Sequence, residues 1–172
     1  MKRLLFALLI LITALSLFGC SARSGSAPST EPGITGYVMQ RDNDRILVIS
    51  QAPKDFSANG GVKEFYDAIW FSKAPKDVKI GDRVKVWYEY VAESYPGQSE
   101  VKHIEVIASQ KPDGADLTES EVLSKALKSK EVNAGETIVA KSISYDAEAD
   151  VWKVEMKEVM GEKIYNLQIE DK

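Results

Sequence analysis

Three carboxylates at alternate positions in Asp146-Ala147-Glu148-Ala149-Asp150 are the pattern with which a calcium loop begins, because oxygen ligands two residues apart converge on one hard cation. Such a loop needs glycine at its sixth position and a bidentate glutamate at its twelfth, and here those positions are Val151 and Lys157. The run is therefore expected to be a solvated hairpin tip. The only histidine, His103, sits in Val101-Lys102-His103-Ile104, where alternation places it opposite Ile104 and Val106 and beside Glu105. That is an exposed strand histidine rather than a ligand or base. Glu64, Tyr66 and Asp67 contain the groups for an acid/base pair, but period-two spacing sends Glu64 and Asp67 to opposite strand faces, so no two-carboxylate mechanism follows.

The composition of the 172-residue chain narrows the chemistry further. One Cys and one His leave no internal disulfide, no thiolate zinc site and no poly-histidine cage. With no nucleophile beside a plausible base, an enzyme is not expected, and neither is a cofactor. The 22 Lys and Arg against 26 Asp and Glu give a net charge of -4 and a pI near 5.2, which disfavours a nucleic-acid partner.

Lys2 and Arg3 followed by the apolar run from Leu4 to Phe18 read as a signal peptide, since the run is shorter than the roughly 20 residues of a membrane span. Leu17-Phe18-Gly19-Cys20 closes it and resembles the lipobox of bacterial lipoproteins, with Phe18 bulkier than that pattern prefers. The resemblance implies cleavage after residue 19, a diacylglycerol on the Cys20 sulfur, and a protein held at the extracytoplasmic side of the cell membrane. An ordinary secretory leader would instead leave a free thiol in an oxidising compartment. Removal of residues 1–19 makes the mature chain two charges more acidic. Residues 20–33 carry the lipid site and a Ser, Gly, Ala and Pro-rich tether.

Residues 34–108 alternate with period two. Strands are expected at Ile34 to Gln40, Arg45 to Ser50, Phe65 to Phe71, Arg83 to Val91 and Glu100 to Ile107, with turns at Arg41 to Asp44 and Lys79 to Asp82. Five short strands without a confident helix suggest a small barrel of the oligomer-binding type, or an open sandwich. Gly36-Tyr37-Val38, Asp67-Ala68-Ile69-Trp70-Phe71, Gly81-Asp82-Arg83-Val84-Lys85-Val86-Trp87 and Glu93-Ser94-Tyr95-Pro96-Gly97-Gln98 together resemble the YobA-like lipoproteins of Gram-positive, spore-forming bacteria. That family is catalogued as a domain of unknown function, so the resemblance implies a small β domain and an envelope address but no activity.

Pro112 and Gly114 mark a linker at residues 109–115 before a more acidic module at 116–172. Thr118 and Glu121 form a capping-box pattern, and Val122, Leu123, Ala126 and Leu127 recur on one helical face. Runs at Thr137 to Tyr145, Val151 to Lys157 and Lys163 to Glu170 follow. The α+β module is thus a helix on a three-stranded antiparallel meander, with Trp152, Val154 and Met156 filling its core. This order is similar to PepSY-type domains, some of which are peptidase propeptides, which implies a regulatory or inhibitory role. Two modules with separate cores are expected.

One aromatic stands out. Val84, Val86, Tyr88 and Tyr90 share the apolar face of the fourth strand, which leaves Trp87 among Arg83, Lys85 and Glu89. A large aromatic among charges suits a partner-binding surface, extended by Trp70 and Tyr95 if residues 93–98 form a neighbouring loop. Alternatively, the loop from Ala52 to Glu64 folds over Trp87. The reading that follows is a lipid-anchored envelope protein that binds a polymer, peptide or protein; regulation of a secreted or membrane peptidase through the C-terminal module, or an unrecognised carboxylate hydrolase, are the alternatives. Cys20→Ser is expected to abolish lipid labelling and stop leader processing. Normal maturation and membrane retention of that variant would refute the anchor.

Overall fold

The structure is a computed structural model that describes residues 28–172 apart from residue 134; the expected leader, Cys20 and most of the expected tether lie outside the described residues. Strands β1 (Ile34–Asp42) and β2 (Arg45–Ser50) form an antiparallel hairpin. Asn43 at its tip has φ 54, a left-handed conformation that Asn tolerates better than most residues. β3 (Ala68–Ser72) pairs with β2, and β4 (Arg83–Trp87) pairs with the other edge of β1. β5 (Gly97–Glu100) runs parallel to β3, and β6 (His103–Ile107) antiparallel to β4.

The sheet order β5-β3-β2-β1-β4-β6 closes on itself, because β5 and β6 are successive halves of one bent strand. At the bend, Val101 N–H donates to Ser72 O and Lys102 N–H to Trp87 O, which ties the strand to both sheet edges. This is the five-stranded barrel expected from the alternation, with the fifth strand broken in two and no edge left unpaired. The third strand starts at Ala68 rather than Phe65. The fourth ends at Trp87 rather than Val91, so Tyr90 is exposed instead of joining the apolar face.

Residues that alternate inward fill the barrel: Val38, Ile46, Val48, Phe71, Val84 and Val86, with Val78 added from the β3–β4 connection. Helix α1 (Glu119–Leu127) begins with the expected capping box, Thr118 accepting from the Glu121 N–H while Glu121 accepts from Thr118. β7 (Ile138–Asp146), β8 (Val151–Glu158) and β9 (Ile164–Glu170) form the antiparallel meander. Asp171 staples this module: its carboxylate accepts from the Asp116 and Leu117 N–H groups and from Trp152 Nε1 at 2.5, 2.8 and 2.9 Å.

The expectation of separate cores is corrected. One apolar cluster joins Tyr37, Met39, Leu47, Ile49, Tyr66 and Ala68 of the barrel's outer face to Leu123, Ala126, Trp152 and Met156. The reason is that β1 and β2 are apolar on both faces, with every residue from Ile46 to Ser50 buried, and the second face needs cover. Polar contacts reinforce the join. Tyr37 donates to Glu119, Gln40 Nε2 to Glu136 O, and Ser120 Oγ to Asp82. Gly81 has φ 95, and a Cβ there would collide with the Ser120 carbonyl, so α1 lies directly on the β3–β4 connection.

Truncation of Leu123, which is fully buried in the shared cluster, should cost about 2–5 kcal/mol. Denaturation of Leu123→Ala followed by fluorescence and by amide exchange is expected to show barrel and meander losing stability together. Loss confined to residues 116–172 would restore the picture of independent cores.

Candidate functional site

The structure places the three expected aromatic residues in three different settings. Trp87 is 8% exposed. It is covered not by the 52–64 loop but by the chain entering β1: its Nε1 donates to Thr30 O at 2.7 Å, and Gly33 N–H donates to Val86 O. The His103 ring packs edge-on at 5.1 Å. The expectation of an exposed Trp87 surface is therefore corrected, because segment 30–33 lies along the strand end and takes the indole N–H as its anchor. His103 is itself only 25% exposed, and its Nε2 has no hydrogen-bond partner among the described residues, Glu105 Oε1 lying 3.5 Å away.

Trp70 lies on the same barrel face but two strands further round, half-buried against the shared cluster with the Arg45 guanidinium 5.1 Å from its ring centroid. It does not meet Trp87. Barrels of the oligomer-binding type take ligands across the outer face of their second and third strands. Here Leu47, Ile49 and Ala68 occupy that face and are buried beneath the C-terminal module. Clefts open along the seam between the barrel and the C-terminal module.

Tyr95 belongs to one of these clefts. A cleft of about 460 Å³ opens between the segment before β3 and the β8–β9 turn, with Phe65, Tyr66 and Tyr95 on one wall and Lys157, Val159 and Met160 on the other. Phe56, Phe65 and Tyr95 form a run of ring contacts at 5.4 and 5.7 Å. Tyr95 is held by its hydroxyl, which donates to Tyr66 O at 2.9 Å. Burial, and then the nearby Asp67 carboxylate, push its phenol up to about 12, so it stays a neutral donor. Val62 and Met160 stand on the rim, 58% and 75% exposed. An aromatic wall, an adaptable Met and a few fixed polar groups are the usual makings of a ligand pocket of this size.

Glu64 supplies the polar end. Its carboxylate accepts from Lys157 Nζ at 2.6 Å and Lys141 Nζ at 3.0 Å, across the seam. The hydrogen bonds from Lys157 and then Lys141 hold it below the usual carboxylate range. It is a charge-paired clamp with no free proton to transfer at neutral pH. Asp67 pairs instead with Lys54, so the two carboxylates stay apart as the alternation required. The 146–150 run is a hairpin tip: Asp146 accepts from the Glu148 and Ala149 N–H groups and pairs with Lys153. No group of three or more His, Cys, Asp or Glu side chains converges on a metal site among the described residues. Met160 and Lys157 at the cleft, and Lys141 at Glu64, were missed by sequence reasoning because only the docking of the meander brings them there, and Val62 because its loop carries no strand or helix pattern.

Residues 35–108 match the family described as "Protein of unknown function (DUF3221)", which covers the barrel and stops before the linker. The chain is similar to the NMR solution structure of Bacillus subtilis YobA 21–120 at 20% identity, over 51% of this chain and 91% of that one, with a TM-score of 0.32. No curated protein matches. No helix among the described residues is long and apolar enough to cross a membrane.

Trp87→Ala should now cost about 3–5 kcal/mol, as for other buried aromatics, whereas Trp87→Phe, losing chiefly the bond to Thr30, should cost about 1 kcal/mol. Thermal melts measure both. A neutral Trp87→Ala would mean that segment 30–33 does not cover the ring in solution.

Proposed function

We propose that this chain, whose barrel matches that unassigned family, is a lipid-anchored binding protein of the extracytoplasmic membrane face and takes its ligand in the cleft beside Tyr95. The supporting observation is the apolar rim of Val62 and Met160 over a wall of Phe65, Tyr66 and Tyr95. Exposed apolar side chains around a concave aromatic floor suit an extended peptide segment that inserts one aromatic or long aliphatic side chain. The Glu64–Lys157–Lys141 cluster at the other end offers Lys Nζ and carboxylate oxygens to the peptide backbone.

The address rests on the leader and on Cys20, and the Ser, Gly, Ala and Pro-rich stretch between Cys20 and the packed segment 30–33 gives the barrel reach from the membrane surface. Binding rather than catalysis fits the side chains of the cleft, where the Glu64 carboxylate is already paired with two lysines.

A photoreactive residue in place of Met160, in the full chain on intact cells, should capture a peptide-bearing partner. The same residue in place of Val106, which is also exposed but on the barrel away from the cleft, should not. Capture of the same species from both positions, or from neither, would remove the cleft from consideration.

A further inference from the structure

A second groove follows the opposite side of the seam, and its charge is the reverse of the molecule's. It is about 520 Å³, runs between the β3–β4 connection and α1, and has Val78, Ile80 and Leu117 in its floor. Lys76 and Lys79 rise from the connection on one wall. On the other wall Ser120, Ser124 and Lys128 follow one another at four-residue spacing, which places them in a single row along the helix, with Lys125 alongside. Arg41 completes it from the end of β1.

These cations have few internal partners. Among the described residues, Lys76, Lys79 and Lys128 form no ion pair with a carboxylate, and Lys125 Nζ donates to the backbone oxygen of Lys172. Arg41 spends three N–H groups on the backbone oxygens of Asn43, Pro75 and Val78, which fixes the connection while leaving its positive charge uncancelled. The only carboxylate in the lining, Glu121, is turned to the Thr118 cap. Lys76, Lys79, Lys128 and Arg41 thus line the groove as four cations without a carboxylate partner among the described residues, in a chain of net charge -4. Opposed walls of like sign repel, and an anion between them removes that repulsion.

We propose that this groove binds a linear polyanion bearing successive phosphate groups. Lys ammonium groups on both walls, the two Arg41 N–H groups left over and the hydroxyl of Ser124 match tetrahedral phosphates, which present acceptors in every direction. The groove suits a chain rather than a flat lipid surface. It is concave, and none of the exposed large apolar residues, such as Tyr90, Val106 or Met160, lines it to enter a bilayer. It also lies toward the start of β4, whereas segment 30–33 leaves from the Trp87 end. Because Gly81, Asp82 and Ser120 lock the helix to the connection, the walls are already in place without ligand.

The test is titration of the full chain with short-chain inorganic polyphosphate over a range of salt concentrations. Lys76→Gln/Lys79→Gln and, separately, Lys128→Gln leave exposed positions and should keep the wild-type melting temperature. The double variant is expected to bind roughly tenfold more weakly, and each lysine removed should lower the slope of log K against log salt by about one. Lys153→Gln, at the distant hairpin tip and paired with Asp146, should bind as wild type. Three results would each overturn the proposal: no polyphosphate binding, equal loss in Lys153→Gln, or monophosphate binding as tightly as the polymer. Anionic phosphatidylglycerol vesicles bound with the same lysine dependence while polyphosphate is not would assign the cations to a membrane surface instead.

Discussion

The constraint on which the rest of this molecule depends is that β1 and β2 are apolar on both faces. A small barrel can bury one face of its strands inside itself, and here Val38, Ile46 and Val48 do so. Tyr37, Met39, Leu47 and Ile49 point the other way and would leave a broad apolar strip in water. Burial at about 25 cal/mol per Å² makes cover for that strip worth several kcal/mol. The helix and meander supply it. The C-terminal module is therefore the missing outer layer of the barrel as much as a module of its own.

The surface across which barrels of this type usually meet ligands is filled from within the chain, while the line along which the modules meet is uneven and leaves clefts, two of them of contrasting lining. One is walled by Phe65, Tyr66 and Tyr95 and closed by the Glu64–Lys157 pair. The other is walled by Lys76 and Lys79 against Ser124 and Lys128. Both combine residues from each module, so neither exists in the barrel alone. Their contrast, one apolar and one cationic, gives a single chain two chemically distinct surfaces.

The Trp87 anchor shows how easily a strand-face argument is overturned by a neighbouring segment. Alternation placed Trp87 opposite Val86, and the structure agrees, since Val86 is in the barrel and Trp87 is not. What alternation could not supply was the path of residues 30–33, whose carbonyl at Thr30 satisfies the indole N–H. A polar handle on a large apolar ring is an invitation to any passing backbone, and a tether was the passing backbone here. Tyr95 fared differently, because its hydroxyl found Tyr66 O within the barrel and left the ring on a cleft wall.

By itself the sequence determined the local elements, because period-two alternation, the Thr118–Glu121 capping box and turn residues such as Asn43 and Gly81 act over a few bonds. The expectation of a leader and of a lipid site at Cys20 rests on equally local patterns, and one Cys and one His speak against thiolate and poly-histidine metal sites. The sequence also named Tyr95, through a segment that reads on its own. Only the tertiary structure decided that the two modules share a core, that Trp87 is covered, and that Lys76, Lys79, Arg41 and Lys128 face one another. Those outcomes depend on contacts between residues far apart in the chain, and net charge and strand alternation carry no information about which distant faces will meet.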